Sequence, residues 1–227
     1  MKFHYLLADN DNTLMDFDAA ERLGFTDTLQ AFGIPEAEDT YQTYHIINKA
    51  LWEALERGET TQEKLKVERF AQLLQQIGRT DVDAAALADC FSRMLGNHAD
   101  LMPGCMEFLQ RVHDKMKIAF VSNGVGEIQR SRLARCPFAH MLDAILISGE
   151  IGVSKPDPRV IDRALEALGC TDKSDAVFLG DSATADVAAA NAAGIASIHL
   201  AMRSKPCAQA TWVVHNLAEA ADLLLEE

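Results

Sequence analysis

No part of this 227-residue chain is apolar over anything near the roughly 20 residues that a membrane span requires. The start, Met1 to Leu7, is too short an apolar run for a signal peptide and reaches Asp9 at once. Cysteines are few and scattered. Cys90, Cys105, Cys136, Cys170 and Cys207 include no CxxC pair, which disfavours a zinc site or a disulfide framework and suits a reducing compartment. The seven histidines contain no HxH or HExxH spacing, so no histidine-based metal centre is expected. Positive charge is also short: 21 Lys and Arg face 34 Asp and Glu, a formal net charge of −13, and no basic stripe gathers them. Nucleic acid polymers and anionic membranes are therefore poor partners. Repeats and low-complexity segments are missing too. The expectation is a cytoplasmic globular protein that acts on a small molecule, with no protein partner implied.

What is present divides into two kinds of sequence. Apolar runs of strand length occur at Phe3–Ala8, Lys117–Val121, Ala144–Ser148, Ala176–Leu179 and Ala196–Leu200, with a weaker one at Trp212–Val214. Helical patterns alternate with them near Gly104–Lys115, Glu127–Arg135, Pro158–Leu168 and Thr184–Ala193. Strand–helix alternation with nearly continuous apolar strands predicts an α/β fold with a doubly wound, Rossmann-like parallel sheet. Between Asp16 and about Asp100 no convincing strand appears. That stretch carries helix formers, such as Lys49–Arg57, Thr61–Gly78 and Asp83–Leu95, with Gly58, Gly78 and Gly96-Asn97 as expected turns. The predicted organisation is a core of residues 1–15 and 101–227 with an all-helical cap, 16–100, inserted after the first strand.

Ligands of such sheets sit beyond the carboxyl ends of the strands, and four segments fall there. Asp9 and Asp11 follow strand one, and side chains at i and i+2 leave a strand on the same side. Two carboxylates so placed repel each other unless a cation intervenes. The arrangement suits holding Mg²⁺ while one carboxylate attacks and the other moves a proton. Val121-Ser122-Asn123-Gly124 brings a hydroxyl and an amide to a second strand end. Val153-Ser154-Lys155-Pro156 brings a lysine, and Leu179-Gly180-Asp181-Ser182 brings an acid, with Asp186 following. With so acidic a chain, a phosphate site needs local positive charge, and a metal ion plus Lys155 would supply it.

Taken together, these segments resemble the haloacid dehalogenase-like superfamily, whose phosphatases carry DxDx(T/V)L, a strand-ending Ser or Thr, a Lys and GDxxxxD. Within it, the cap series Tyr44, Ile47-Asn48-Lys49, Leu51-Trp52, Gly58 and Arg69-Phe70 looks like the pyrimidine 5′-nucleotidase branch, as does Ala210 to Val214. The resemblance implies a Mg²⁺-dependent phosphomonoester hydrolase. Asp9 is then the nucleophile that forms an aspartyl-phosphate, and Asp11 the general acid and later base, which calls for a raised pKa. Mg²⁺ would be held by Asp9, Asp181 and the backbone carbonyl of Asp11. Ser122 and Asn123 would bind phosphoryl oxygens, Lys155 would neutralise phosphoryl charge and hold Asp9, and Asp186 would orient metal-bound water or Lys155. Thr13 would serve loop geometry, and Asn12 would tolerate a left-handed turn. Tyr44, Lys49 and Trp52 are the cap residues that could meet substrate.

Plainer readings stand beside these. Ser122 could cap a helix, Asp181 and Asp186 could start one, Lys155 and Lys49 could be solvated, and Trp52 could be cap core. A sugar-phosphate phosphatase or phosphomutase would use the same residues. A 2-haloacid dehalogenase needs neither Mg²⁺ nor an acid at position 11, and a phospho-accepting signalling module usually lacks the cap and that second acid. Gly124-Val125-Gly126 lacks the third glycine of a dinucleotide loop.

Overall fold

Along the first strand, β1 (Tyr5–Ala8), alternate residues serve two different cores. Leu6 and Ala8 face one apolar cluster and Leu7 faces another, all at no measurable exposure. This two-residue alternation between two dry faces is what a sheet covered on both sides requires. The computed structural model describes residues 2–226. After β1 come α1 (Phe17–Ala31), α2 (Glu38–Glu56), α3 (Gln62–Gln76) and α4 (Ala84–Asn97). The chain then runs α5 (Cys105–Val112), β2 (Lys117–Ser122), α6 (Gly126–Leu133), β3 (Ala144–Ile147), the short α7 (Ser148–Ile151) and α8 (Arg159–Leu168). It ends with β4 (Ala176–Gly180), α9 (Ala188–Ala193), β5 (Ala196–Leu200), β6 (Trp212–Val214) and α10 (Leu217–Leu225).

The six strands form one parallel sheet in the order β3-β2-β1-β4-β5-β6. The order reverses at β1, so the crevice of this α/β sheet opens between the carboxyl ends of β1 and β4. One face packs Phe108 and Leu109 of α5 and Leu217 and Leu224 of α10. The other packs Val160 and Ile161 of α8 and Ala189 and Ala190 of α9. β1 begins two residues later than predicted; just before it, His4 still bonds both neighbours, its amide to the Asp175 carbonyl and its carbonyl to the Lys117 amide.

Four helices fill the stretch between β1 and α5. They share a third apolar cluster built on Phe25, Tyr44, Phe70, Leu73, Leu87 and Phe91. Burying each such ring contributes about 2 kcal/mol. Side-chain caps start three of them: Asp16, Thr61 and Asp83 each accept a backbone N–H of the first turn. Where the chain leaves and re-enters the core it runs double, with the Asp16 amide on the Asp100 carbonyl and the Met102 amide on the Leu14 carbonyl. Gly58 and Gly78 take left-handed turns as expected, at φ 74° and 70°. Gly96 does not turn the chain. It lies inside α4, where a Cβ would stand 3.0 Å from the Ser131 hydroxyl, so its smallness lets α4 approach α6.

Candidate active site

Asp9 leaves the end of β1 and Asp181 follows the end of β4, and these two strands are neighbours in the sheet. The Asp9 amide donates to the Leu179 carbonyl at 2.9 Å, which continues the ladder one residue past the strand. Asp186 comes from a π-helical turn, Ala183–Val187, that begins where Ser182 caps it. The Asp186 carboxylate folds back against Gly180, where a Cβ would fall 2.2 Å from its Oδ2, and it accepts the Ser182 amide at 2.9 Å. No residue with a side chain fits at position 180. The outcome is three carboxylates, Asp9, Asp181 and Asp186, with one oxygen of each within 4.8 Å of the others.

Lys155 is the counter-charge, and it is 2% exposed. Its Nζ donates to Asp9 Oδ1 at 2.5 Å and to the Val121 carbonyl at 3.0 Å, and it lies 2.7 Å from Asp186 Oδ1. Asn123 sets this lysine in place with both ends of its amide: Oδ1 accepts the Lys155 amide and Nδ2 donates to the Lys155 carbonyl, each at 2.8 Å. Thr13 Oγ1 donates to the second Asp9 oxygen at 3.1 Å. Burial raises the Asp9 carboxyl, the Lys155 ammonium pulls it back, and the balance is a pKa of about 7. Burial, then Asp9 and Asp186, lifts Asp181 to about 8. For Lys155, burial alone would lower the pKa, but Asp186 and Asp9 outweigh it and hold the group above its ordinary value. Three acids against one ammonium leave an excess of oxygen donors, a set suited to a hard divalent cation such as Mg²⁺.

For Asp11 the expectation is a backbone carbonyl toward the metal and a carboxylate kept for proton transfer. Its carboxylate is not in the three-acid set: Oδ1 accepts from Arg132 Nη1 and from Asn10 Nδ2 at 2.9 Å, and Oδ2 accepts from Gln129 Nε2 at 2.6 Å. Asp11 nonetheless lines the cavity that opens over the acids. Ser122 is buried at the end of β2 and does not line that cavity, because its hydroxyl turns to accept the Gly124 amide at 3.0 Å. Asn12 takes φ 62°, the left-handed turn expected of it.

The cavity, of about 350 Å³, has two unlike walls. Asp9, Asn123, Lys155, Asp181 and Asp186 form its floor at the sheet edge. Phe17, Trp52, Leu65 and Arg69 of the inserted helices face it. Trp52 therefore meets the cavity, but two other expected cap residues do not. Tyr44 is wholly buried between Phe25 and Phe70, stacked at 4.5 and 5.4 Å, and Lys49 is exposed on α2 away from the cavity.

Several residues at the site escape a reading by motif. Arg132 and Gln129 are buried on α6 and hold Asp11, yet lie about 120 positions from it. They share the face of Ile128 and Leu133, so polar residues at core positions of a helical pattern were the available signal. His199 on β5 accepts the Cys207 amide at Nδ1 (3.2 Å) and so donates from Nε2 to the Asp181 carbonyl (2.9 Å), steadying that loop. Gln62, at the start of α3, donates to the Asn123 carbonyl at 2.9 Å and to the Ser148 hydroxyl at 3.2 Å, tying helices to floor.

A family model for haloacid dehalogenase-like hydrolases matches residues 6–200. The chain belongs to this family. Among its relatives, the hydrolase is 30% identical over 227 residues to pyrimidine 5′-nucleotidase YjjG of Escherichia coli, covering 99% of both chains. It is 29% identical to pyrimidine 5′-nucleotidase PynA of Streptococcus pneumoniae, over 99% of this chain and 96% of that one. Its fold superposes on the magnesium-bound structure of the HAD-hydrolase YfnB from Bacillus subtilis with a TM-score of 0.93 at 27% identity, over the full length of both. No helix among the described residues is long and apolar enough to cross a membrane.

Proposed function

We propose that this hydrolase is a phosphatase that cleaves nucleoside 5′-monophosphates, with pyrimidine nucleotides preferred, through an aspartyl-phosphate on Asp9. The observation that carries the proposal is the pairing of Asp9 with Lys155 inside a three-carboxylate set, at the floor of a cavity walled by inserted helices. Relatives matched over nearly the whole chain, inserted helices included, are pyrimidine 5′-nucleotidases, and this supports the choice of substrate.

In this reading the Asp9 carboxylate forms a bond to phosphorus in line with the ester oxygen, whose bond to phosphorus breaks. Lys155 aims Asp9, with Asn123 holding the lysine's backbone, and spreads positive charge over the phosphoryl oxygens. Ser122 steadies the Gly124 amide from behind, and among the described residues its own O–H meets no acceptor. Asp11 gives a proton to the departing nucleoside oxygen and then takes one from the water that attacks phosphorus and frees Asp9. To do so it exchanges a bond from Arg132, Gln129 or Asn10 for one to substrate. Asp9, Asp181 and Asp186 would hold Mg²⁺, which would offset the repulsion between anionic nucleophile and anionic phosphate, and Asp186 also keeps Lys155 in place. Residues 16–100 act as the cap and residues 1–15 with 101–227 as the catalytic core, the helices shielding the reaction from bulk water. The cytoplasm is the proposed compartment, in keeping with five cysteines that form no disulfide.

The test is phosphate release from UMP, dUMP, dTMP, AMP, GMP and a set of sugar phosphates, with Mg²⁺ and with EDTA. Mg²⁺-dependent release favouring the pyrimidine nucleotides is expected. Release from sugar phosphates alone would keep the chemistry and remove the nucleotidase assignment. Turnover that persists in EDTA would overturn the metal-dependent mechanism.

A further inference from the structure

On the helical wall of the cavity one residue is out of keeping with its surroundings. Arg69, on α3, is 3% exposed, and its guanidinium lies 4.7 Å from the ring centre of Phe91 and 5.2 Å from that of Phe70. Among the described residues no carboxylate pairs with it directly. Nη1 donates to the Tyr44 hydroxyl at 3.2 Å and to Asn48 Oδ1 at 3.1 Å. Those two groups in turn donate to Glu21 Oε1, at 3.3 and 2.7 Å. Its charge is therefore met at one remove, by a buried acid that it does not touch and that also faces His45 Nδ1 at 3.6 Å. The Nε–H is buried with no acceptor, and Nη2, on a residue that lines the cavity, makes no hydrogen bond among the described residues either. A buried donor left open is costly, and the cost falls away when a ligand brings the acceptor.

The ligand's chemistry follows from what surrounds this donor. Because Glu21 already meets the charge, the open N–H calls for a neutral acceptor rather than a second anion. Trp52, partly exposed, lines the same cavity as Arg69, together with the apolar Phe17 and Leu65. A flat ring with a keto oxygen on its edge meets both demands. We propose that this end of the cavity is a nucleobase subsite, in which the base stacks on Trp52 and the C2 keto oxygen of uracil, thymine or cytosine accepts from Arg69. Adenine has no keto oxygen and would leave the donor open, which is how the wall would discriminate. The inference rests on the nucleotidase reading and adds residues that set uracil, thymine and cytosine apart from adenine.

Its test compares kcat/KM for UMP, CMP, AMP and ribose 5-phosphate in the unaltered chain, Arg69→Lys and Trp52→Leu, all with Mg²⁺. Lysine keeps the positive charge but lacks the Nε–H and the planar fork. The ratio of UMP to ribose 5-phosphate is expected to fall roughly tenfold in each variant, mainly through KM for UMP. In Arg69→Lys the UMP to AMP ratio should fall as well. A loss shared equally by UMP and ribose 5-phosphate would show a structural role only and overturn the subsite, as would no change in either ratio. Should Arg69→Lys not fold, Trp52→Leu is judged by the same UMP to ribose 5-phosphate ratio. If the unaltered chain hydrolyses ribose 5-phosphate and no nucleotide, the nucleotidase reading itself falls and takes the subsite with it. Nucleotide turnover with unmoved ratios rejects the subsite alone.

Discussion

The sheet edge and the inserted helices each bury a set of charged groups, and the two sets are built on opposite principles. At the edge, Asp9, Asp181 and Asp186 crowd around one ammonium. In the helices, one acid, Glu21, and one guanidinium, Arg69, balance through Tyr44 and Asn48 without touching. The first set holds more carboxylates than its one ammonium can pair. The second sets one acid against one guanidinium at one remove, yet leaves a donor of Arg69, a residue lining the cavity, without an acceptor. Surplus charge suits chemistry on an anion with a metal's help, whereas a balanced set with an open donor suits recognition of a neutral group. The pKa directions agree with the contrast, since burial drives Asp9 to about 7 and Asp181 to about 8.

The largest effect should come from removing the nucleophile. Asp9→Asn is expected to lower phosphate release by roughly a thousandfold or more while the thermal midpoint stays within a few degrees of the parent. Retained turnover would refute the assignment and leave the edge as a mere metal site.

Next comes stability. Lys155→Met leaves Asp9 and Asp186 buried without their cation, and a broken buried pair costs about 3–5 kcal/mol. Glu21→Gln keeps a hydrogen-bonding group of the same shape and should cost no more than about 1–3 kcal/mol. Urea unfolding in EDTA measures both. Equal losses would erase the distinction between an over-acidic edge and a balanced interior.

The test that sharpens the contrast most is the dependence on pH. Folding lifts Asp9 and Asp181 from the ordinary 3.8 to about 7 and about 8. Across that window the folded chain binds more protons than the unfolded one, so stability falls as pH rises. Without divalent metal, the thermal midpoint should decline from pH 5 to pH 8, and Asp181→Asn should flatten the slope. Added Mg²⁺ should stabilise most at the upper end, where the acids are ionised and free to coordinate. Matching slopes for parent and variant would show that these acids do not carry the pH dependence.

How far each region was legible in the sequence follows the same division. The edge residues belong to short local patterns, and a parallel sheet brings all its carboxyl ends to one side. Finding the strands therefore located Asp9, Asn123, Lys155 and Asp181 relative to one another. Even there, local pattern left side-chain direction open. Asp11 stands two residues from Asp9 but is drawn off by Arg132 and Gln129, and the Ser122 hydroxyl turns back to the Gly124 amide. In the helices, residue type and spacing left Tyr44, Lys49 and Trp52 on one footing, and only Trp52 reached the cavity. Helical periodicity tells which residues share a face but not what the face will meet.

The sequence by itself determined the parallel sheet, the helical insertion and the chemistry available at the strand ends. These rest on backbone geometry and on interactions between near neighbours in the chain. Only the tertiary structure decided that the Asp186 carboxylate stands within reach of both Asp9 and Asp181, that Arg132 holds Asp11 and that Arg69, lining the cavity, has a donor without an acceptor. Those outcomes depend on the packing of elements more than a hundred residues apart in two of the three cases, and in the third on three helices meeting around a common core. No spacing rule encodes such meetings, because the free energy that selects them comes from burial summed over the whole interior.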